Sequence, residues 1–160
     1  MGYPIYPEHP TRMVQRIYLA SSWRNEHQPL VLASLRDAGF EVYDFRNPRP
    51  DNEGFHWSAI DPEWQGWNPN EYREALTHPV AVRGYGYDYG AMEWADTGVL
   101  LLPSGRSAHI EAGYFKGVGK HLYILMLEPQ EPELMYLMAD RICLTTPELV
   151  REMKAAGGRP

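Results

Sequence analysis

The sequence predicts an α/β fold, a doubly wound parallel sheet of five strands with helices on both faces. Two observations predict it. Short apolar runs alternate with helix-patterned segments along most of the chain, the order that repeated strand, helix, strand units leave behind. The runs Thr97 to Leu102 and His121 to Leu127 are apolar almost without interruption, as central strands covered on both faces must be.

The elements follow in order. Val14 to Ala20 reads as the first strand, and Asn25 to Ala38 as a helix with Leu30, Leu32 and Leu35 near its inner side. Gly39 stands where a helix C-terminus needs a left-handed residue. FEVYDF, Phe40 to Phe45, alternates as a second strand should. The stretch from Arg46 to Arg83, rich in Pro, Asn and Trp, then breaks the regular alternation, and it is too aromatic for a disordered linker. Its Trp57, Trp64 and Trp67 either fold back as a lid or wall over a flat ligand or pack on the domain's own edge. A helix is expected around Asp88 to Met92, followed by the strand Thr97 to Leu102, a helix from Ser107 to Val118 and the strand His121 to Leu127. Pro132 to Ala139 is read as a helix, Arg141 to Thr145 as the last strand, and Thr146 or Pro147 opens a final helix to Ala156. One domain is expected over 13–156, with an N-terminal tail at 1–12 and a frayed tail at 157–160.

Composition removes several classes of function. No stretch approaches the roughly 20 apolar residues of a membrane span, and the start from Met1 to Arg12 lacks a signal-peptide core. A soluble, cytoplasmic protein is expected. Cys143 is the single cysteine, which excludes an internal disulfide and any multi-cysteine metal cluster, and its setting in RICLT reads as buried core. A formal charge of -6 argues against nucleic acid as a partner, whereas a small anion needs only local donors.

Three superficial motifs fail on physical grounds. GYGYDYG, Gly84 to Gly90, lacks dinucleotide-fingerprint spacing and follows no clear strand. GVGK, Gly117 to Lys120, leaves a helix and enters a strand, the reverse of the phosphate-cradling order. His109 and Glu111 match the H-x-E of zinc deaminases, but with one cysteine the zinc site cannot be completed. The remaining histidines have no metal-ligand spacing, and no cofactor is called for.

In an open parallel sheet the ligand crevice lies at the carboxyl ends of the strands. Three segments there carry chemistry. In IYLASSWRNE, Tyr18 lies in the strand and Ser21, Ser22 and Arg24 crowd the turn, a set that suits a phosphate or sugar oxygen at a helix N-terminus. Ordinary capping by Ser22 beside a solvated Arg24 is the alternative. In LLLPSGRSAHIEAGYFKGVGK, a strand enters a turn and a helix that Ser107 is expected to cap, with Glu111 in the first turn. Its side chain would lean back toward the crevice, and the positive helix end would keep the carboxylate ionised. Gly113 and Gly117 would give that helix a bare stripe against the sheet. In YDYGAMEWAD, Asp88 faces the same crevice if Ala91 and Ala95 point inward, and Asp96 reads as structural. Two carboxyls at one sugar are what glycosidic chemistry uses.

These residues give the chain a resemblance to the nucleoside 2-deoxyribosyltransferase family, including relatives that hydrolyse 2'-deoxynucleoside 5'-monophosphates. It covers roughly Gln15 to Leu127 and rests on IYLASSWR, on DYGAMEWAD from Asp88 to Asp96, and most specifically on GRSAHIEAG from Gly105 to Gly113. The resemblance implies a flavodoxin-like fold, no metal or organic cofactor, and a homodimer or larger homo-oligomer whose subunits complete each other's sites. It implies Glu111 as nucleophile, Tyr18 as the tyrosine that orients it, and Asp88 as the aspartate near the leaving base. Transferases of the family carry an acidic residue for the sugar 5'-hydroxyl where this chain has Ser104, Gly105 and Arg106, which looks closer to the monophosphate hydrolases. ELMYLMAD, Glu133 to Asp140, has no serine where those hydrolases donate one from a neighbour.

The reading is cleavage of an N-glycosidic bond in a (deoxy)nucleoside or its 5'-monophosphate through a glutamyl glycosyl-enzyme, with Ser22, Arg24, Ser104, Gly105 and Ser107 as substrate-binding residues. The alternatives are a hydrolase of another N-riboside such as NAD, and a non-catalytic nucleotide sensor.

Overall fold

The computed structural model describes residues 14–157. The expected N-terminal tail at 1–12 and all but the first residue of the expected C-terminal tail lie outside them.

Five strands, β1 (Arg16–Ala20), β2 (Glu41–Tyr43), β3 (Thr97–Leu101), β4 (His121–Leu125) and β5 (Arg141–Cys143), form one sheet in the order β2-β1-β3-β4-β5. Every pairing is parallel. This is the doubly wound, flavodoxin-like order, in which the chain reverses direction across the sheet between β1 and β3. Each strand is shorter than the run expected for it, and some flanking residues make loop contacts instead. At the end of β2, for example, Asp44 accepts hydrogen bonds from Gln28 Nε2, the Arg46 backbone and Asn47 Nδ2, each at 3.0 Å.

Alternation along the strands divides the core in two. Ile17, Leu19, Val99, Leu101 and Cys143 face α1 (Gln28–Asp37) and α5 (Thr146–Gly157). Tyr18, Ala20, Leu100, Leu122 and Ile124 lie in the other layer with residues of α3 (Pro79–Trp94) and α4 (Arg106–Gly117), a short α2 (Pro69–Ala75) preceding these in the chain. Ala91, Met92 and Ala95 are buried in that second layer, as the inward face of α3 requires. No helix among the described residues is long and apolar enough to cross a membrane.

Several expectations need correction. The first helix starts at Gln28 rather than Asn25, because Asn25 Oδ1 accepts from the His27 backbone at 2.8 Å in a local turn that competes with helix. In that phase Gln28, Val31, Leu32 and Leu35 face inward and Leu30 is 73% exposed. Pro132 to Ala139 is not a helix: only a 3-10 turn, Leu134–Met138, forms, and none of its residues is buried to support a longer one. Within 46–83 the chain forms 3-10 turns at Trp57–Ala59 and Trp64–Gly66, then α2, held at its start by a reciprocal Asn68 and Glu71 capping box. Four aromatic side chains there, Phe55, Trp57, Trp67 and Tyr72, pack together. Trp57 meets Phe55, Trp67 and Tyr72 edge to face at 4.7 to 5.8 Å, and Trp67 Nε1 donates to Asp61 at 2.7 Å.

Glycine matters at two positions in this frame. Gly39 sits at φ +95° and ends α1 as expected. Gly98 in β3 is the close approach between helix and sheet: a Cβ there would come within 2.6 Å of the Phe115 ring. Gly113 and Gly117, expected to form that contact, face open space.

Candidate active site

Tyr18 and Tyr43 are register partners in β1 and β2. Their side chains therefore emerge on the same face, and the rings stack with centroids 5.3 Å apart and 20° between planes. Phe115, seated over Gly98, has its ring centroid 5.8 Å from that of Tyr18. Because Glu111 precedes Phe115 by one helical turn, the residue that packs α4 onto β3 also brings the Glu111 carboxyl to the Tyr18 hydroxyl. Asp88, on α3, accepts a hydrogen bond from the Tyr43 hydroxyl at 2.9 Å. The result is two tyrosine and carboxyl pairs side by side, three of whose members the sequence singled out.

Electrostatics couples the pairs. Burial, then the neighbouring Asp88 charge, pushes the Glu111 carboxyl up to about 8, although the Tyr18 hydroxyl pulls it down. Asp88 is raised by burial and eased downward by the Tyr43 hydrogen bond. Both phenols are raised, first by burial and then by the carboxylates, so they remain donors. The helix terminus does not keep Glu111 ionised, contrary to what its position in the sequence led one to expect. Helix α4 begins at Arg106, which puts Glu111 in the second turn, where the terminal dipole has weakened and desolvation dominates.

The loops around this centre are tied together at the switch point. Ser21 Oγ donates to the Leu101 carbonyl at 3.0 Å, and buried Asn25 reaches the Pro103 carbonyl at 3.0 Å. Arg46 donates to the carbonyls of Ser22, Trp23 and Asn25 at 2.9 to 3.0 Å, joining the loop after β2 to the loop after β1. Ser22 does not cap α1, whose N-cap is His27, and Arg24 stands exposed on the loop with its backbone N-H on Ser22 Oγ at 3.2 Å. Ser107 does not cap α4 either: Gly105 holds that position without a side-chain bond, and Arg106 and Ser107 are exposed on the first turn. Ser104 Oγ is buried and makes no hydrogen bond among the described residues.

Sequence reasoning missed Tyr43 and Arg46. The signal for Tyr43 was its place at the carboxyl end of the strand beside β1. Arg46 carried no signal, since its three acceptors are backbone carbonyls from another loop. His109 has a structural role. Its Nδ1 is 2.8 Å from the Gly105 carbonyl oxygen and its Nε2 2.9 Å from the Tyr136 hydroxyl, which fastens the 3-10 turn to α4. Among the described residues no group of three or more His, Cys, Asp or Glu is arranged to hold a metal ion. A surface cleft of about 440 Å³ lined by residues of α1 and α5, including Ser34, Thr146 and Lys154, lies on the opposite side of the sheet from Glu111.

No family model and no curated protein matches the chain in sequence. Solved structures do match in shape. A 2-deoxyribosyltransferase from Bacillus psychrosaccharolyticus superposes with a TM-score of 0.59 over 88% of this chain and 94% of that one, at 18% identity. The fold is shared with a 2-deoxyribosyltransferase. A conserved protein from Enterococcus faecalis V583 superposes with a TM-score of 0.57 over 89% of this chain and 99% of that one, at 13% identity. The CMP N-glycosidase of Clostridium botulinum, 17% identical over 88% of this chain and 99% of that one, reaches a TM-score of 0.44.

Proposed function

We propose that this protein is an enzyme that cleaves the N-glycosidic bond of a (deoxy)nucleoside or its 5'-monophosphate, with Glu111 as nucleophile. The observation that carries this reading is the coupled pair of Glu111 and Asp88, each bonded to its own tyrosine, at the strand ends where the sheet order reverses. The shared fold of a 2-deoxyribosyltransferase supports it.

Burial and the neighbouring Asp88 charge favour the protonated form of Glu111, so the nucleophile must lose its proton before it reacts. For reaction that proton leaves Glu111, and Asp88 is the neighbouring base that takes it. A Glu111 oxygen then bonds to the anomeric carbon as the bond from carbon to base nitrogen breaks. The bonding pair departs with the base, which receives the proton from Asp88. The resulting sugar ester is resolved by water, which gives a proton to Asp88 and yields the free sugar, or by a second base, which gives its proton to Asp88 and yields an exchanged nucleoside, and Glu111 leaves as the carboxylate. Tyr18 holds the Glu111 carboxyl in place for both steps.

In this reading Ser22, Arg24, Ser104, Gly105 and Ser107 bind the 5' end of the substrate. Support comes from the unsatisfied Ser104 hydroxyl and from the start of α4, where Gly105 caps without a side chain. A homodimer is proposed as well. Leu134 and Leu137 are 77% and 82% exposed beside Met135 and Met138, an apolar patch that a second subunit covers.

The test is incubation with a panel of nucleosides, their 5'-monophosphates and NAD, assayed for free base. Multiple turnovers on a nucleoside or monophosphate are expected. No release from any of them would remove the reading, and release of nicotinamide alone would redirect it.

A further inference from the structure

We propose that Tyr43 is a positioning residue that fixes one oxygen of Asp88 and leaves the other as the atom that carries the proton to the departing base. This rests on the reading of Asp88 given above.

The geometry is specific. The Tyr43 hydroxyl donates to Asp88 Oδ1 at 2.9 Å, and Oδ2 makes no hydrogen bond among the described residues. Tyr43 is itself restrained twice, by its register opposite Tyr18 at the end of β2 and by the ring stack on Tyr18. A phenol on a strand locked by two such contacts cannot follow a wandering carboxyl, so Asp88, which comes from a different element, is held at a fixed distance from the strand ends. Asp88 spans from α3 to the sheet through this one bond.

The charges around the pair define what the bond does. Asp88 faces Tyr43 on β2, Tyr18 on β1 and Glu111 on α4, and Tyr43 also feels Asp44. None of these groups is a cation. The Tyr43 hydroxyl is therefore the contact that favours the ionised Asp88. Protonated Asp88 is consequently a stronger acid than burial alone would make it, which suits delivery of the proton to a weakly basic leaving group. No bond to substrate is asked of Tyr43.

The test has one arm independent of turnover. Asp carboxyl carbons are isotopically labelled and followed by NMR through a pH titration, with Asp88 assigned by its loss in Asp88→Asn. Tyr43→Phe, which keeps the ring and its stack, is expected to raise the Asp88 midpoint by about one to two pH units, the size of one lost hydrogen bond to a charged group. Incorporating 3,5-difluorotyrosine at position 43 keeps the hydroxyl but makes it a stronger donor, and should move the midpoint down, which serves if the phenylalanine variant does not fold. In the second arm, uridine and 5-fluorouridine 5'-monophosphates and their 2'-deoxy forms are compared. Tyr43→Phe should lower kcat more for uracil, the poorer leaving group, than for 5-fluorouracil, by about tenfold between them, with KM little changed. An unmoved Asp88 midpoint in both variants overturns the proposal, as does an equal kcat loss for the two bases. Absence of base release by the wild type condemns the catalytic reading instead and leaves the titration arm standing.

Discussion

Gly98 and Phe115 are matched: the missing side chain of one is the seat of the other, and a Cβ at Gly98 would lie 2.6 Å from the Phe115 ring. Since Phe115 is buried and lies one turn from Glu111, this contact sets the depth at which α4 carries its carboxyl. Gly98→Ala should therefore cost about 1–3 kcal/mol of stability, the usual range for overpacking a core. It should also lower kcat well beyond what the residual folded fraction explains. Chemical denaturation together with kinetics on the folded protein checks both.

The raised Glu111 carboxyl has a consequence for stability. A group whose folded pKa of about 8 exceeds its ordinary 4.5 favours folding below the lower value and loses that contribution as pH rises through the higher one. Glu111→Gln, which carries no charge at any pH, should match the wild type near pH 4 and melt higher by roughly 10 °C at pH 9, the shift that about 3–5 kcal/mol produces in a domain of this size. Thermal melts at the two pH values measure it. A margin that is the same at both would mean that Glu111 is not desolvated.

Arg24 is exposed on the loop after β1 and is free to reach an anion. Charge-assisted contacts are worth roughly 1.5–3 kcal/mol, so Arg24→Ala should weaken 5'-monophosphate substrates by at least about tenfold in kcat/KM and barely alter nucleosides. Equal losses for both would take Arg24 out of phosphate recognition.

The exposed Leu134 and Leu137 predict the assembly. Replacing both with Asp should convert a dimer to a monomer in sedimentation experiments and reduce activity, because the family resemblance implies sites completed across subunits. A wild-type protein that is monomeric and fully active contradicts this.

The layers of the fold were legible because β3 and β4 are apolar on both faces, and Glu111, Asp88 and Tyr18 were legible because each lies at a strand end or in a distinctive segment. What stayed hidden depended on contacts far apart in sequence. Tyr43 looked like an ordinary strand aromatic until its register with Tyr18 was known. Asn25 matched a helix by pattern, yet its side chain is committed to the Pro103 carbonyl, 78 residues away, and to a local turn. Pro132 to Ala139 has helix-forming residues, but no core face for them to bury. The state of Glu111 was misread for the same reason, since helix position is local and desolvation is not.

In the proposed mechanism Glu111 bonds to the anomeric carbon. Peptide mass mapping after incubation with 2'-deoxy-2'-fluoro nucleosides and their 5'-monophosphates tests it most directly, since the electron-withdrawing fluorine slows reactions through oxocarbenium-like transition states and lets the ester accumulate. The predicted result is one fluorosugar added to the peptide containing Glu111, absent from Glu111→Gln. An adduct on Asp88, or turnover that persists in Glu111→Gln, would remove Glu111 as the nucleophile.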